Sequence, residues 1–156
     1  SAPGHGSTFR IALPLASAPA ATPAPTGAAP AWTATGLVLV VDDEPSIRQV
    51  AVRMLNGFGF TTLAAADGVE AVALFRQHAD RLQLVLLDLI MPQKDGVETF
   101  GELHLLNPAI PVVLMSGFTG NLSLDRFPQA KPAGVLAKPF SREALQARLQ
   151  EVLARN

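Results

Sequence analysis

From Leu37 to the end of the chain, short apolar runs alternate with segments of helical period, and this alternation restricts the fold more than any other feature. Leu37–Val41 (LVLVV) is an unbroken apolar run stopped by Asp42, the pattern of a strand buried on both faces. Pro45 suits a first helical turn, and Ile47, Val50, Met54, Leu55 and Phe58 follow at helical spacing until Gly57 and Gly59 end the helix. Residues 60–65 form a weaker second strand. Asp67 and Glu70 have the spacing of a capping box and open a helix through His78. Residues 84–88 (LVLLD) form a third strand, 96–107 a helix closed by Pro108, 111–115 a fourth strand and 134–137 a short fifth. Ser141 is placed to cap a last helix with Leu145, Leu149, Val152 and Leu153 on one stripe.

Buried strands alternating with helices predict an α/β fold with a parallel sheet covered on both faces. Five such units in the 120 residues from 37 to 156 suit an open doubly wound sheet and not a barrel. Ligands in such folds bind at the carboxyl ends of the strands. Strand one ends in Asp42, Asp43 and Glu44, strand three in Asp88, strand four in Ser116 and strand five in Lys138. A lone Asp pair after a strand usually marks a loop or a helix cap. Four chemically apt positions at the same end of consecutive strands are a different matter. Carboxylates gathered on one rim repel and need a cation, and hard oxygen ligands with room for water suit Mg²⁺. Lys138 and Ser116 are then available to phosphoryl oxygens, one as a charge and the other as a hydrogen-bond donor.

The chain is divided in composition. Residues 1–36 hold 6 of the 13 prolines, 11 alanines, no acidic residue and one basic residue, Arg10, so they carry +1; the remaining 11 basic and 13 acidic residues give −2 to residues 37–156. Residues 16–35 are a Pro/Ala/Thr-rich stretch with too little apolar surface to offset ordering entropy and are expected to be a tether. Upstream, Phe9, Ile11 and Leu13 alternate with polar or small residues as in a half-buried strand. With no cysteine there is no disulfide framework, thiolate metal site or cysteine nucleophile. A net charge of −1 with scattered Lys and Arg offers no footprint for nucleic acid. No apolar run approaches the roughly 18 residues of a membrane span. The alanine-rich start lacks the pattern of a signal peptide, so a cytoplasmic location without direct membrane contact is expected for this part of the protein, whatever anchors its parent. Because the first residue is Ser1, the chain reads as a piece of something longer.

The runs LVLVVDDEPSIRQVAVRMLNGFGF, LVLLDLIMPQKDGVETF, PVVLMSGF and GVLAKPFSREAL occur in order, with 45, 28 and 22 residues separating Asp43, Asp88, Ser116 and Lys138. In these motifs residues 36–156 resemble the receiver domain of bacterial two-component response regulators. The resemblance implies a flavodoxin-like five-stranded sheet of order 2-1-3-4-5. It implies that Asp88 is the phosphoacceptor, taking a phosphoryl group from a phosphohistidine. Asp43, Asp88 and the backbone carbonyl of Ile90 are then expected to bind Mg²⁺ directly, with Asp42 acting through water. Lys138 is expected to pair with Asp88, Ser116 to follow the phosphoryl oxygens and start the switch, Gly117 to leave the path open, and Pro139, after a cis peptide, to aim Lys138. Apolar Ile90 and Phe118, two residues after the acceptor and two after the hydroxyl, cannot orient a hydrolytic water, so a long-lived acyl phosphate is expected.

Residues 1–15 resemble the end of a histidine-kinase ATP-binding domain through Gly4, Gly6, Ser7, Phe9 and the Leu13-Pro14 pair. Followed by a tether and a receiver, they imply a hybrid sensor histidine kinase as parent, with no kinase activity or ATP binding in this piece. The expected partner is a phosphohistidine on the parent kinase or on a phosphotransfer protein. Two departures stand out. Val135 occupies the place where the family has a switch aromatic, and Gly120, Asn121, Pro128 and Pro132 reduce the fourth helix to at most a short one near residues 119–126. Both favour a competing reading as an interaction module with little phosphorylation-driven switching. A small Mg²⁺-dependent phosphatase using Asp88 is the weakest reading, because no second carboxylate stands two residues after it. His5, His78 and His104 are read as structural or surface groups, and Trp32 as part of the tether, docked or exposed.

Overall fold

The computed structural model describes Arg10, residues 32–92 and 94–117, Phe127 and residues 130–155. The chain divides into two units, residues 1–31 and 32–156. The expected strand around Phe9, most of the tether, the short helix near 119–126 and Phe118 lie outside the described residues.

The second unit runs β1 (Leu37–Val41), α1 (Pro45–Asn56), β2 (Thr61–Ala65), α2 (Gly68–His78), β3 (Leu82–Asp88), α3 (Gly96–Leu106), β4 (Val112–Ser116), β5 (Gly134–Ala137) and α4 (Arg142–Leu153). All neighbouring strands pair in parallel, in the order β2-β1-β3-β4-β5. The doubly wound α/β sheet expected from the sequence is therefore present, with the expected strand order.

The period of two in each strand divides the core into two layers. Leu37, Leu39, Val41, Val85, Leu87 and Leu114 face Val72 and Phe75 of α2 and Phe100 and Leu103 of α3. Val38, Val40, Leu84, Leu86, Val113 and Met115 face Ala51 and Leu55 of α1 and Leu145, Leu149 and Val152 of α4. β1 and β3 are buried along almost their whole length because helices cover both faces, whereas edge strand β2 keeps Thr61 and Ala64 exposed.

The helix starts follow their cap residues. Pro45 opens α1, where its missing N–H is not needed. Asp67 accepts from the Glu70 amide at 2.8 Å while Glu70 accepts from Ala66 at 2.7 Å, so the expected box forms with its return bond one residue upstream. Asp95 caps α3 through the Glu98 amide at 2.8 Å, and Ser141 caps α4 through Ala144 at 3.2 Å. The boundaries move by a residue or two from those expected. β3 begins at Leu82 instead of 84, β2 at Thr61, and β4 at Val112, running on to Ser116.

Trp32 is packed rather than exposed. Its ring lies 5.5 Å from Phe58 and 5.9 Å from Phe60, and the Ala34 amide donates to the Phe58 carbonyl at 2.8 Å. The compact unit thus takes in the last four residues, 32–35, of the stretch read as tether. No helix among the described residues is long and apolar enough to cross a membrane.

Candidate functional site

β1 and β3 are adjacent, yet the chain leaves their carboxyl ends in different directions, toward α1 on one face and α3 on the other. A crevice opens at that switch point. It is a cleft of about 390 Å³ lined by Asp42, Asp43, Asp88, Ile90, Gly117 and Lys138, with Glu44 and Ile47 at its side.

Asp42 is fully buried, Asp88 is 6% exposed and Asp43 is open to solvent. One carboxylate oxygen from each lies within 4.8 Å of the others. Between the two buried acids stands Lys138, its Nζ 2.7 Å from Asp42 and 2.9 Å from Asp88. The other Asp42 oxygen accepts the Glu44 amide at 2.9 Å, so both oxygens of Asp42 are engaged by the protein itself. Asp88 is held more loosely, by Lys138 on one oxygen and by the Ile90 amide at 3.4 Å on the other, and Asp43 is exposed.

Burial raises the pKa of Asp88, and the Asp42 charge adds to this, while the hydrogen bond and charge of Lys138 hold it down in part. Burial alone would lower Lys138; the hydrogen bonds to Asp42 and Asp88 outweigh it, and the ammonium is held above its ordinary value. The group beside Asp88 therefore stays charged at neutral pH.

The other expected residues are spread more widely. Ser116 is buried at the end of β4, and its carbonyl accepts the Lys138 amide at 2.7 Å, so the hydroxyl-bearing residue and the lysine share a β4–β5 backbone link. Gly117 lines the cleft, and a β-carbon there would meet nothing within 4 Å. Ile90 is 58% exposed at the cleft mouth, and its amide lies 3.4 Å from an Asp88 oxygen. The Lys138-Pro139 peptide is cis, as expected. Pro139 faces a second, apolar cleft with Ile47, Val50 and Phe140. Val135 pairs with Leu114 and packs on the α2/α3 side of the core, away from the acidic cleft. His104 stacks on Phe100, in keeping with a structural role.

Two residues escaped the sequence reading. Arg48 donates to the main-chain carbonyl of Asp42. Its signal was a cation in the first turns of a helix, where the macrodipole disfavours one. Gly96 lies so close to β3 that a β-carbon would stand 2.3 Å from the Asp88 carbonyl. Its signal was a glycine at the first position of a helix, where better helix formers are available.

The comparisons agree with this geometry. The chain is 33% identical over 158 residues to the sensor kinase CckA of Brucella abortus, an alignment covering 96% of this chain and 17% of that protein. The chemotaxis protein CheY4 of Vibrio cholerae superposes with a TM-score of 0.71 at 31% identity, over 77% of this chain and all of that one. The receiver domain of the hybrid histidine kinase CckA superposes with a TM-score of 0.64 at 30% identity, over 76% of this chain and 99% of that one. Residues 38–150 match the family described as the response regulator receiver domain, and the chain belongs to that family of two-component signalling proteins.

Proposed function

We propose that Asp88 accepts a phosphoryl group from a phosphohistidine in the presence of Mg²⁺, and that this receiver serves a phosphorelay within a hybrid sensor histidine kinase. The observation that carries the proposal is the Lys138 ammonium held between Asp42 and Asp88 at an open cleft. An Asp88 oxygen attacks phosphorus, the new P–O bond forms as the P–N bond breaks, and the departing imidazole keeps the electron pair and takes up a proton. Lys138 lies where it can turn from the Asp88 carboxylate to the oxygens of the incoming group. Gly117 leaves their approach clear. Ser116 lies one residue away and moves with Lys138 through their backbone link.

The acidic cluster fits Mg²⁺ in its donor set: Asp43 and Asp88 would hold the ion with the Ile90 carbonyl, and Asp42 would hold one of its waters. Bound there, the ion would neutralise charge on the transferring group. The hybrid-kinase parentage is supported by the extent of the CckA similarity, which covers 96% of this chain and so reaches upstream of residue 36. Because the chain spans 17% of that relative, the kinase activity of the whole protein and a cytoplasmic location belong to the proposal.

Val135 favours the second reading, an interaction module with little switching, since no aromatic side chain stands at that position of β5 to move with Ser116. Beryllofluoride or acetyl phosphate with Mg²⁺ separates the two. The relay reading expects a stoichiometric adduct by mass spectrometry or ¹⁹F NMR, abolished by Asp88→Asn. An unmodified wild-type protein would sink it.

A further inference from the structure

We infer that Arg48 is a positioning residue for the acidic loop, holding the Asp42-Asp43 peptide so that Asp43 stays beside Asp88. The loop leaves β1 at a buried residue, whose amide donates to the Ala65 carbonyl at 3.2 Å, and reaches solvent one residue later; the carboxylate and main-chain carbonyl of Asp42 fasten it at three further points. One carboxylate oxygen takes the Glu44 amide at 2.9 Å, the other takes Lys138 at 2.7 Å, and the main-chain carbonyl takes the Arg48 guanidinium. The Lys138 bond fixes the side chain, and the Glu44 bond ties the following peptide, Asp43-Glu44, to it. Only the third, among the described bonds, acts on the Asp42-Asp43 peptide plane, from which the direction of Asp43 is set.

Arg48 can act in this way because it is itself held. Its amide donates to the Glu44 carbonyl at 3.0 Å in the first turn of α1, and its side chain is half-buried, reaching back over that turn to β1. A guanidinium there runs against the helix macrodipole and adds positive charge beside a cluster that would bind a cation. Neither effect favours its presence, so the geometric role is what accounts for it. Charge and geometry make opposite predictions. If Arg48 acted only as a charge, removing it would strengthen cation binding. If it positions Asp43, removing it weakens cation binding and frees the loop.

The test compares wild type, Arg48→Met and Arg48→Lys by Mg²⁺ titration calorimetry and by amide hydrogen exchange of Glu44 without metal, at a temperature where melting curves show all three folded. Arg48→Met is expected to weaken Mg²⁺ binding and to speed Glu44 exchange, each by roughly tenfold, the scale of one hydrogen bond from a charged group. Arg48→Lys, which keeps the charge and one donor, is expected to fall between. Mg²⁺ binding that is unchanged or tighter in Arg48→Met, or a Glu44 amide that exchanges as in wild type, overturns the inference. The Mg²⁺ arm rests on the proposed function; the exchange arm does not. If wild type binds no Mg²⁺, the metal reading fails and Glu44 exchange alone decides for or against Arg48. Should Arg48→Met not fold, wild-type behaviour of Arg48→Lys in both measurements overturns the role.

Discussion

A β-carbon on Gly96 would lie 2.3 Å from the carbonyl oxygen of Asp88. It would also come within 2.6 Å of the Leu89 α-carbon, and the Gly96 amide already donates to the Leu89 carbonyl at 3.0 Å. The neighbours are backbone atoms at the end of the strand that carries Asp88, so they cannot swing aside as a flexible side chain would. The start of α3 and the end of β3 fit only with hydrogen at this position.

Gly96→Ala is therefore expected to cost about 1–3 kcal/mol of stability in urea unfolding, the range for overpacking a tight contact. It is also expected to slow adduct formation with beryllofluoride, since relief of the clash displaces Asp88. Gly117→Ala provides the contrast. With nothing within 4 Å, its stability should match wild type within about 0.5 kcal/mol, while the narrowed cleft slows the adduct. Equal stability losses in the two variants would refute this account.

The raised pKa of Asp88 carries a pH prediction for the metal-free protein. A carboxyl that titrates above its ordinary 3.8 in the folded state binds its proton more tightly folded than unfolded, so its ionisation works against folding. That cost is fully present above the folded pKa, shrinks as pH falls toward 3.8, and vanishes below it. Asp88→Asn should accordingly melt higher than wild type at pH 7 in EDTA, with the gap closing on acidification. A gap that widened at low pH would contradict the burial argument.

The fold was legible because nearly every strand and helix announced itself through one period. LVLVV at 37–41 admits no amphipathic helix, and Asp67 with Glu70 marks a helix start in two residues. The six rim positions were legible for a different reason: a parallel sheet brings all its strand ends to one edge, so chemistry scattered over 97 positions, from Asp42 to Lys138, became one site as soon as strands were assigned. What stayed hidden depends on tertiary distance. No pattern showed that Lys138 would be shared by Asp42 as well as Asp88, that Arg48 would turn back to a β1 carbonyl, or that Trp32, amid alanines and prolines, would reach Phe58 and Phe60.

Ile90 bears on the lifetime of a phosphoryl group. It is 58% exposed at the cleft mouth and offers no group to orient water toward Asp88. A slow loss of the acyl phosphate is expected, followed by ³²P decay or by mass spectrometry. Exchanging Ile90 and Phe118 together for polar residues should shorten the half-life; an unaltered half-life would show that water is controlled elsewhere.

Trp32 joins the segment before β1 to the turn between α1 and β2. Its ring packs against Phe58 and Phe60, while Arg142 of α4 lies 4.2 Å from the Phe58 ring centroid and donates to the Gly57 carbonyl at 3.0 Å. Gly59 completes the joint with a φ of 103°, where a β-carbon would stand 2.4 Å from the Ala34 carbonyl. Trp32→Ala is expected to lose about 1–3 kcal/mol, somewhat below a fully buried aromatic because the residue keeps some exposure to solvent. A chain starting at residue 37 should lose at least as much, since it also gives up the Ala34 amide bond. Trp32 stands at the amino end of β1, the acidic cleft at its carboxyl end, so beryllofluoride affinity at 25 °C should not change. As the chain's single tryptophan, Trp32 reports on the joint directly: its emission should shift to the red when the contact is lost, and an unshifted spectrum in Phe58→Ala would show that the packing does not persist in solution.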